Sequence, residues 1–118
     1  RAAGVKYELS DDFENAIPSA DAIYMTRVQD EWDAQKGDSG KIDISRYCFT
    51  VAHLAKLRKN AVIMHPFPRR CEISPDVDCD PRAVYWRQMR NGMWIRAALI
   101  ATIFDRDDQI RSYHRKNM

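Results

Sequence analysis

Residues 61–70 read AVIMHPFPRR, and the fold turns on this stretch. Ala61 to Met64 is an apolar run of strand length, and Pro66 and Pro68 then remove two backbone donors and forbid helix. A buried strand must therefore end at a rigid corner, His65-Pro66-Phe67-Pro68. Upstream, Ala22 to Thr26 (AIYMT) is another apolar run flanked by polar residues, which predicts a strand buried on both faces. Between the two, Thr50 is placed to cap a helix over Val51 to Lys59. There Val51, Leu54, Ala55 and Leu57 share one side, while Lys56, Arg58 and Lys59 suit the negative end of the helix dipole. Strand, loop, helix and strand in this order predict an α/β domain whose parallel strands are joined by right-handed crossovers.

Further out the pattern continues. Val5 to Leu9 (VKYEL) alternates in period two like a strand, and Ser10 to Glu14 offers capping side chains for a short helix ending near Ile17-Pro18. Asp30 to Asp43, with Gly37 and Gly40 among mixed charges, cannot bury enough surface to be rigid by itself and is expected to be a mobile loop. Asp80-Pro81 predicts a capped helix running to about Arg90 and closed by Asn91-Gly92. Met93 to Phe104 then predicts a second helix, apolar around most of its circumference, that needs burial against more than one surface. The charged residues beyond Phe104 are expected to fray.

Composition narrows the function classes. With 118 residues, 45% apolar and 31% charged, the chain fits one globular domain, small enough to be marginal alone if it leans on a partner domain. Nineteen basic and 17 acidic residues leave a net charge of +2, too balanced for a nucleic-acid-binding stripe. The longest apolar stretch, Ala97 to Phe104, falls far short of the roughly 20 residues that span a bilayer, and no secretory leader opens the chain, so a cytoplasmic location is expected. Cys48, Cys71 and Cys79 form no Cys-x-x-Cys pair and read as reduced thiols; with His65 they match no compact zinc spacing, so no metal is expected. Gly4, Gly37, Gly40 and Gly92 are scattered and build no phosphate cradle, which removes support for a nucleotide cofactor.

Parallel sheets bind ligands at the carboxyl ends of their strands, so chemistry is sought there. After the second strand come Arg27 and Gln29, two residues apart in an extended segment, an arginine fork and an amide that fit a carboxylate or phosphate. A surface ion pair and a solvated amide fit the same two residues. After the third strand comes the proline corner, which exposes carbonyl oxygens that need donors from elsewhere; a ligand amino group would supply them, and a plain rigid turn is the alternative. His65 reads as a packed, hydrogen-bonded imidazole and not as a base.

Taken with their neighbours, these residues become recognisable. Tyr24-Met25-Thr26-Arg27-Val28-Gln29, then Met64-His65-Pro66-Phe67-Pro68-Arg69 with Glu72-Ile73, then Asp80-Pro81-Arg82-Ala83 through Gln88, Asn91-Gly92 and Ile95-Arg96 resemble the C-terminal third of aspartate carbamoyltransferase catalytic chains. The resemblance runs from Val5 to Phe104. It implies a Rossmann-like parallel sheet, the C-terminal part of the aspartate-binding domain, over residues 1–92. Residues 93–118 would be an apolar helix crossing back to the carbamoyl phosphate domain, plus a charged tail. It implies the carbamoyl transfer of pyrimidine synthesis, from carbamoyl phosphate to L-aspartate without a cofactor, in homotrimers of complete catalytic chains. By the same resemblance Arg27 and Gln29 hold aspartate, and Pro66, Phe67 and Pro68 turn backbone carbonyls toward the carbamoyl amino group.

Departures accompany the match. Phe67 stands where the family commonly has Leu, Arg70 and Cys71 replace less basic residues, and the loop from Asp30 to Asp43 differs from the usual sequence. The Ser-x-Arg-Thr and His-Pro-x-Gln motifs of the carbamoyl phosphate domain do not occur in these 118 residues. The chain is therefore expected to be a fragment, a split gene product or part of a longer protein, inactive by itself. Two alternatives remain: an ornithine-type carbamoyltransferase, against which Pro66 and Arg27 argue, and a non-catalytic relative that binds a partner through the surface the other domain would cover.

Overall fold

The computed structural model describes residues 4–27 and 43–117. Helix α1, Phe13–Ala16, is capped by Asp12, whose carboxylate accepts from Asn15 N at 3.2 Å, and runs into a single 3-10 turn, Ile17–Ser19. Strand β1, Ala22–Tyr24, follows; helix α2, Val51–Leu54, leads to strand β2, Val62–Met64. The two strands are parallel, with Ala22, Ile23 and Tyr24 opposite Val62, Ile63 and Met64. On the far side of β2, Ile63 N donates to Arg82 O at 2.8 Å and Val84 N to Ile63 O at 2.9 Å, so residues 82–84 form a third parallel line. The predicted α/β class and the strand, helix, strand order hold.

The core gathers where this small sheet meets its cover. Ile23, Ile63, Ile17, Phe49, Ile73, Val77 and Tyr85 are buried, with Leu57 and Ala61 beside them. In β1 only Ile23 is buried, while Ala22 and Tyr24 are exposed, which corrects the expectation of burial on both faces. Alternation in a three-residue strand sends one side chain inward and two outward, and nothing among the described residues covers the outer pair.

Four further expectations are corrected. Val5 to Leu9 forms no strand and its apolar side chains are exposed, because a period-two pattern makes a strand only against a partner edge. Helix α2 ends at Leu54, well before Lys59: the Arg82 guanidinium donates to Leu54 O at 3.1 Å and Leu57 O at 2.9 Å and so takes up carbonyls left beyond the last turn. Asp80-Pro81 opens no helix, since residues 82–84 are committed to Ile63; helix α3 starts at Tyr85 and runs unbroken to Ile103 through Asn91 and Gly92. A glycine inside a helix costs only about 1 kcal/mol, and the Arg96 guanidinium lies 3.1 Å from where a Gly92 Cβ would stand.

The charged end also differs from the fraying expected. Asp105 adopts φ 51°, Asp105 N donates to Thr102 O at 3.1 Å and Arg106 N to Ala101 O at 2.8 Å, a left-handed stop that closes α3. Helix α4, Asp107–Asn117, then begins with Asp107 and Asp108 and ends with His114, Arg115 and Lys116, charges matched to both ends of its dipole. No helix among the described residues is long and apolar enough to cross a membrane.

Candidate active site

Because β1 and β2 are parallel and in register at Tyr24 and Met64, both chains leave the sheet at the same edge. Met25 N still donates to Met64 O at 3.0 Å, which carries the pairing one step beyond the strands. Two residues later stands Arg27, half-buried; directly after β2 stands the proline corner. Sequence-predicted Arg27 and Pro66, Phe67 and Pro68 are thus delivered by neighbouring strand ends. Gln29 and most of the Asp30 to Asp43 loop lie outside the described residues.

The corner is held from beneath by a buried pair. His65 and Glu72 are 1% and 2% exposed, and His65 Nε2 meets Glu72 Oε1 at 2.7 Å. His65 Nδ1 accepts from Phe67 N at 2.9 Å, so the ring proton sits on Nε2 and is donated to the carboxylate. Glu72 also accepts from Arg70 N at 3.2 and 3.1 Å. One carboxylate therefore fixes both sides of the corner: Phe67 through the imidazole and Arg70 directly. The entry to the corner is fixed too, since His65 N donates to Gln88 Oε1 at 3.0 Å and Gln88 Nε2 donates to the Tyr24 hydroxyl at 3.1 Å.

The apolar flank is aromatic. Phe67 has φ 56°, a left-handed conformation in which a side chain is strained, and its ring packs at 5.0 Å from Trp86, 5.8 Å from Tyr85 and 5.4 Å from His65. A leucine would make the backbone turn equally well but would lose the ring contacts that offset the strain. Beyond it, Arg69 forks onto Asp78, with Nη2 to Oδ2 at 2.8 Å, and lies over the Tyr85 and Trp86 rings at 5.6 and 5.8 Å. The Tyr85 hydroxyl donates to the same carboxylate. Burial, and then the negative charge it faces, push the Tyr85 phenol up to about 12, while Asp78 is held low first by Arg69.

With both flanks pinned, the corner is a rigid shelf. Pro66 and Pro68 are exposed and carry no N–H, and among the described residues no hydrogen bond is made to the carbonyl oxygens of Pro66, Phe67 or Pro68. The corner leaves these carbonyl oxygens as acceptors, and the segment that carries Arg27 leaves the sheet at the same edge. His65 is packed and hydrogen-bonded, in agreement with its sequence reading. What composition and spacing did not reveal is the set of residues behind the shelf, Glu72, Gln88, Asp78 and Tyr85. A buried carboxylate seven residues after the histidine that precedes a proline corner is the signal that could have found the first of them.

Burial favours the protonated form of Glu72, yet the hydrogen bonds from backbone N–H groups and His65 outweigh it and hold the carboxyl below its ordinary value of 4.5. An unfolded chain therefore takes up this proton at a higher pH than the folded one. The stabilisation is fully present above 4.5 and is lost as pH falls through the folded value. Glu72→Gln is expected to lower the unfolding free energy at neutral pH by about 2 kcal/mol and to flatten its acid dependence. Urea titrations from neutral to acid pH check both; an unchanged acid slope in the variant would show that Glu72 does not hold the corner.

A parallel α/β sheet with a cationic residue and a proline corner at adjacent strand ends has the form in which open α/β sheets present their ligand-binding edge. The sequence profile of the Asp/Orn-binding domain of aspartate/ornithine carbamoyltransferases matches residues 1–103, and the chain belongs to that family. The catalytic subunit of aspartate carbamoyltransferase from Vibrio cholerae is 44% identical over 104 residues, which cover 87% of this chain and 33% of that protein. Multifunctional protein CAD from Squalus acanthias is 43% identical over 100 residues, 85% of this chain and 4% of the relative. Among solved structures, aspartate transcarbamoylase from Trypanosoma cruzi in complex with carbamoyl phosphate superposes with a TM-score of 0.60 at 34% identity, covering 74% of this chain and 27% of the other. The chain spans a third or less of each of these relatives.

Proposed function

We propose that this chain supplies the aspartate-holding side of a carbamoyl transfer site, where carbamoyl phosphate and L-aspartate give N-carbamoyl-L-aspartate and phosphate. The observation that supports the reading is the shared edge of β1 and β2, from which the segment with Arg27 and the Pro66-Phe67-Pro68 corner both leave the sheet. Arg27 pairs with the side-chain carboxylate of aspartate, and Gln29 adds an amide. The shelf carbonyls accept from the carbamoyl amino group and turn the carbonyl carbon toward the attacking α-amine. No side chain here is assigned to proton transfer or to covalent attack. Catalysis is positioning and stabilisation of the tetrahedral intermediate, with phosphate as leaving group, no metal and no cofactor. Ornithine is disfavoured because its side-chain cation would face Arg27. The phosphate is held by a carbamoyl phosphate domain, and the working assembly is a trimer of complete catalytic chains.

The test is a graft in which residues 1–104 replace the corresponding segment of the Vibrio cholerae catalytic subunit. Arg27→Ala in that graft is expected to weaken aspartate binding about 10- to 100-fold, the loss of one charge-assisted hydrogen bond of roughly 1.5–3 kcal/mol. Carbamoyl phosphate binding should be nearly unchanged, and Gln29→Ala should give a smaller change of the same kind. Equal loss of both substrates would assign Arg27 to folding or phosphate contact instead.

A further inference from the structure

The two thiols nearest the corner are brought together by the fold, although they stand far apart in sequence. Phe49 pairs with Ile73: Phe49 N donates to Glu72 O at 2.8 Å and Ser74 N to Phe49 O at 2.9 Å. This sets Cys48 alongside the bend that contains Cys71, and the Cys48 Sγ donates to Cys71 O at 2.7 Å. The Phe49–Ile73 bridge and this contact set Cys48 and Cys71 on adjoining segments, which where paired lie about 4.8 Å apart. A disulfide spans Cα separations of about 4.4–6.8 Å. Cys71 is exposed, and Cys48 is half-buried in the wall of a surface cleft that it shares with Ser45, Arg46 and His53.

We propose that Cys48 and Cys71 form a modification site for small disulfides such as oxidised glutathione, which convert the pair into a Cys48–Cys71 disulfide three residues beyond the proline corner. Burial pushes the Cys48 thiol up, and the charges of Cys71 and Glu72 push it further, so the exposed Cys71 is the entry point. Its thiolate attacks one sulfur of oxidised glutathione, forming a mixed disulfide and releasing one glutathione thiolate. The Cys48 thiolate then attacks the Cys71 sulfur, closes the protein disulfide and releases the second glutathione. Two protein thiols are oxidised and one disulfide is reduced to two glutathione thiols, which carry the two protons.

The chain is treated with oxidised glutathione, its remaining thiols are alkylated, and digestion after Lys, Arg and Glu separates all three cysteines for mass spectrometry. The expected product joins the Cys48 peptide to Cys71 with loss of two hydrogens, while Cys79 stays outside the link. Cys48→Ser should stop the reaction at a glutathione adduct on Cys71, and Cys71→Ser should slow oxidation of Cys48 at least tenfold. Accumulation of a glutathione adduct on Cys71 beside a free Cys48 in the unsubstituted chain would overturn the proposal, as would a link from Cys79 to either.

Discussion

Given carbamoyl phosphate and aspartate, the purified 118-residue chain is expected to form no carbamoyl aspartate above background, whereas the Vibrio cholerae graft turns over. The expected effect is large because the reaction is one of placement. Holding two reactants in attack geometry is worth roughly 7–11 kcal/mol, and that benefit vanishes when one reactant has no seat. On the proposed reading Arg27 and the Pro66 to Pro68 shelf address aspartate and the carbamoyl amino group, but the Ser-x-Arg-Thr and His-Pro-x-Gln motifs expected of a carbamoyl phosphate domain do not occur in these residues. Product formed by the chain at a rate that survives removal of contaminating host enzyme would contradict this expectation.

The second large effect concerns α3. Trp94 is 62% exposed, Ile95 68%, Leu99 59% and Phe104 68%, while Tyr85 and Ala101 are the helix's buried residues. So many large apolar side chains exposed along one helix favour association over a monomer in water. The chain alone is therefore expected to self-associate, with sedimentation that depends on concentration. Ile95→Lys with Leu99→Lys should shift it toward monomer without loss of the near-ultraviolet signal of Trp86, which is packed on Phe67. A compact monomer of the unsubstituted chain at all concentrations would show that the face is covered from within.

How far the sequence carried the fold depended on how local the cause was. The proline corner was legible because two missing N–H groups act at their own positions whatever surrounds them. β1 and β2 were legible for a related reason, being short apolar runs bounded by polar chain. Val5 to Leu9 misled because alternation needs a partner edge, which pattern alone cannot supply. Asp80-Pro81 carried an N-cap signal that lost to the pairing of Arg82 and Val84 with Ile63, a contact some 20 residues distant in sequence. Asn91-Gly92 misled in the opposite direction, since one glycine costs less than a nineteen-residue helix gains by continuing.

The site divides along the same line. Arg27 and the corner stand out by residue type and by their place after strands, and their proposed roles come from the resemblance. Their support does not stand out, because Glu72, Gln88 and Asp78 are ordinary polar residues until the fold turns them onto His65 and Arg69. Gln29 lies outside the described residues, and its role rests on the resemblance.

The measurement that bears most directly on the aspartate-holding role is product identity in the Vibrio cholerae graft, supplied with carbamoyl phosphate and equal aspartate and ornithine. Carbamoyl aspartate with no detectable citrulline is the predicted result, and Arg27→Ala should reduce it while raising the aspartate concentration needed for half-maximal rate. Citrulline as the main product, or a folded trimeric graft that makes neither, would contradict the assignment.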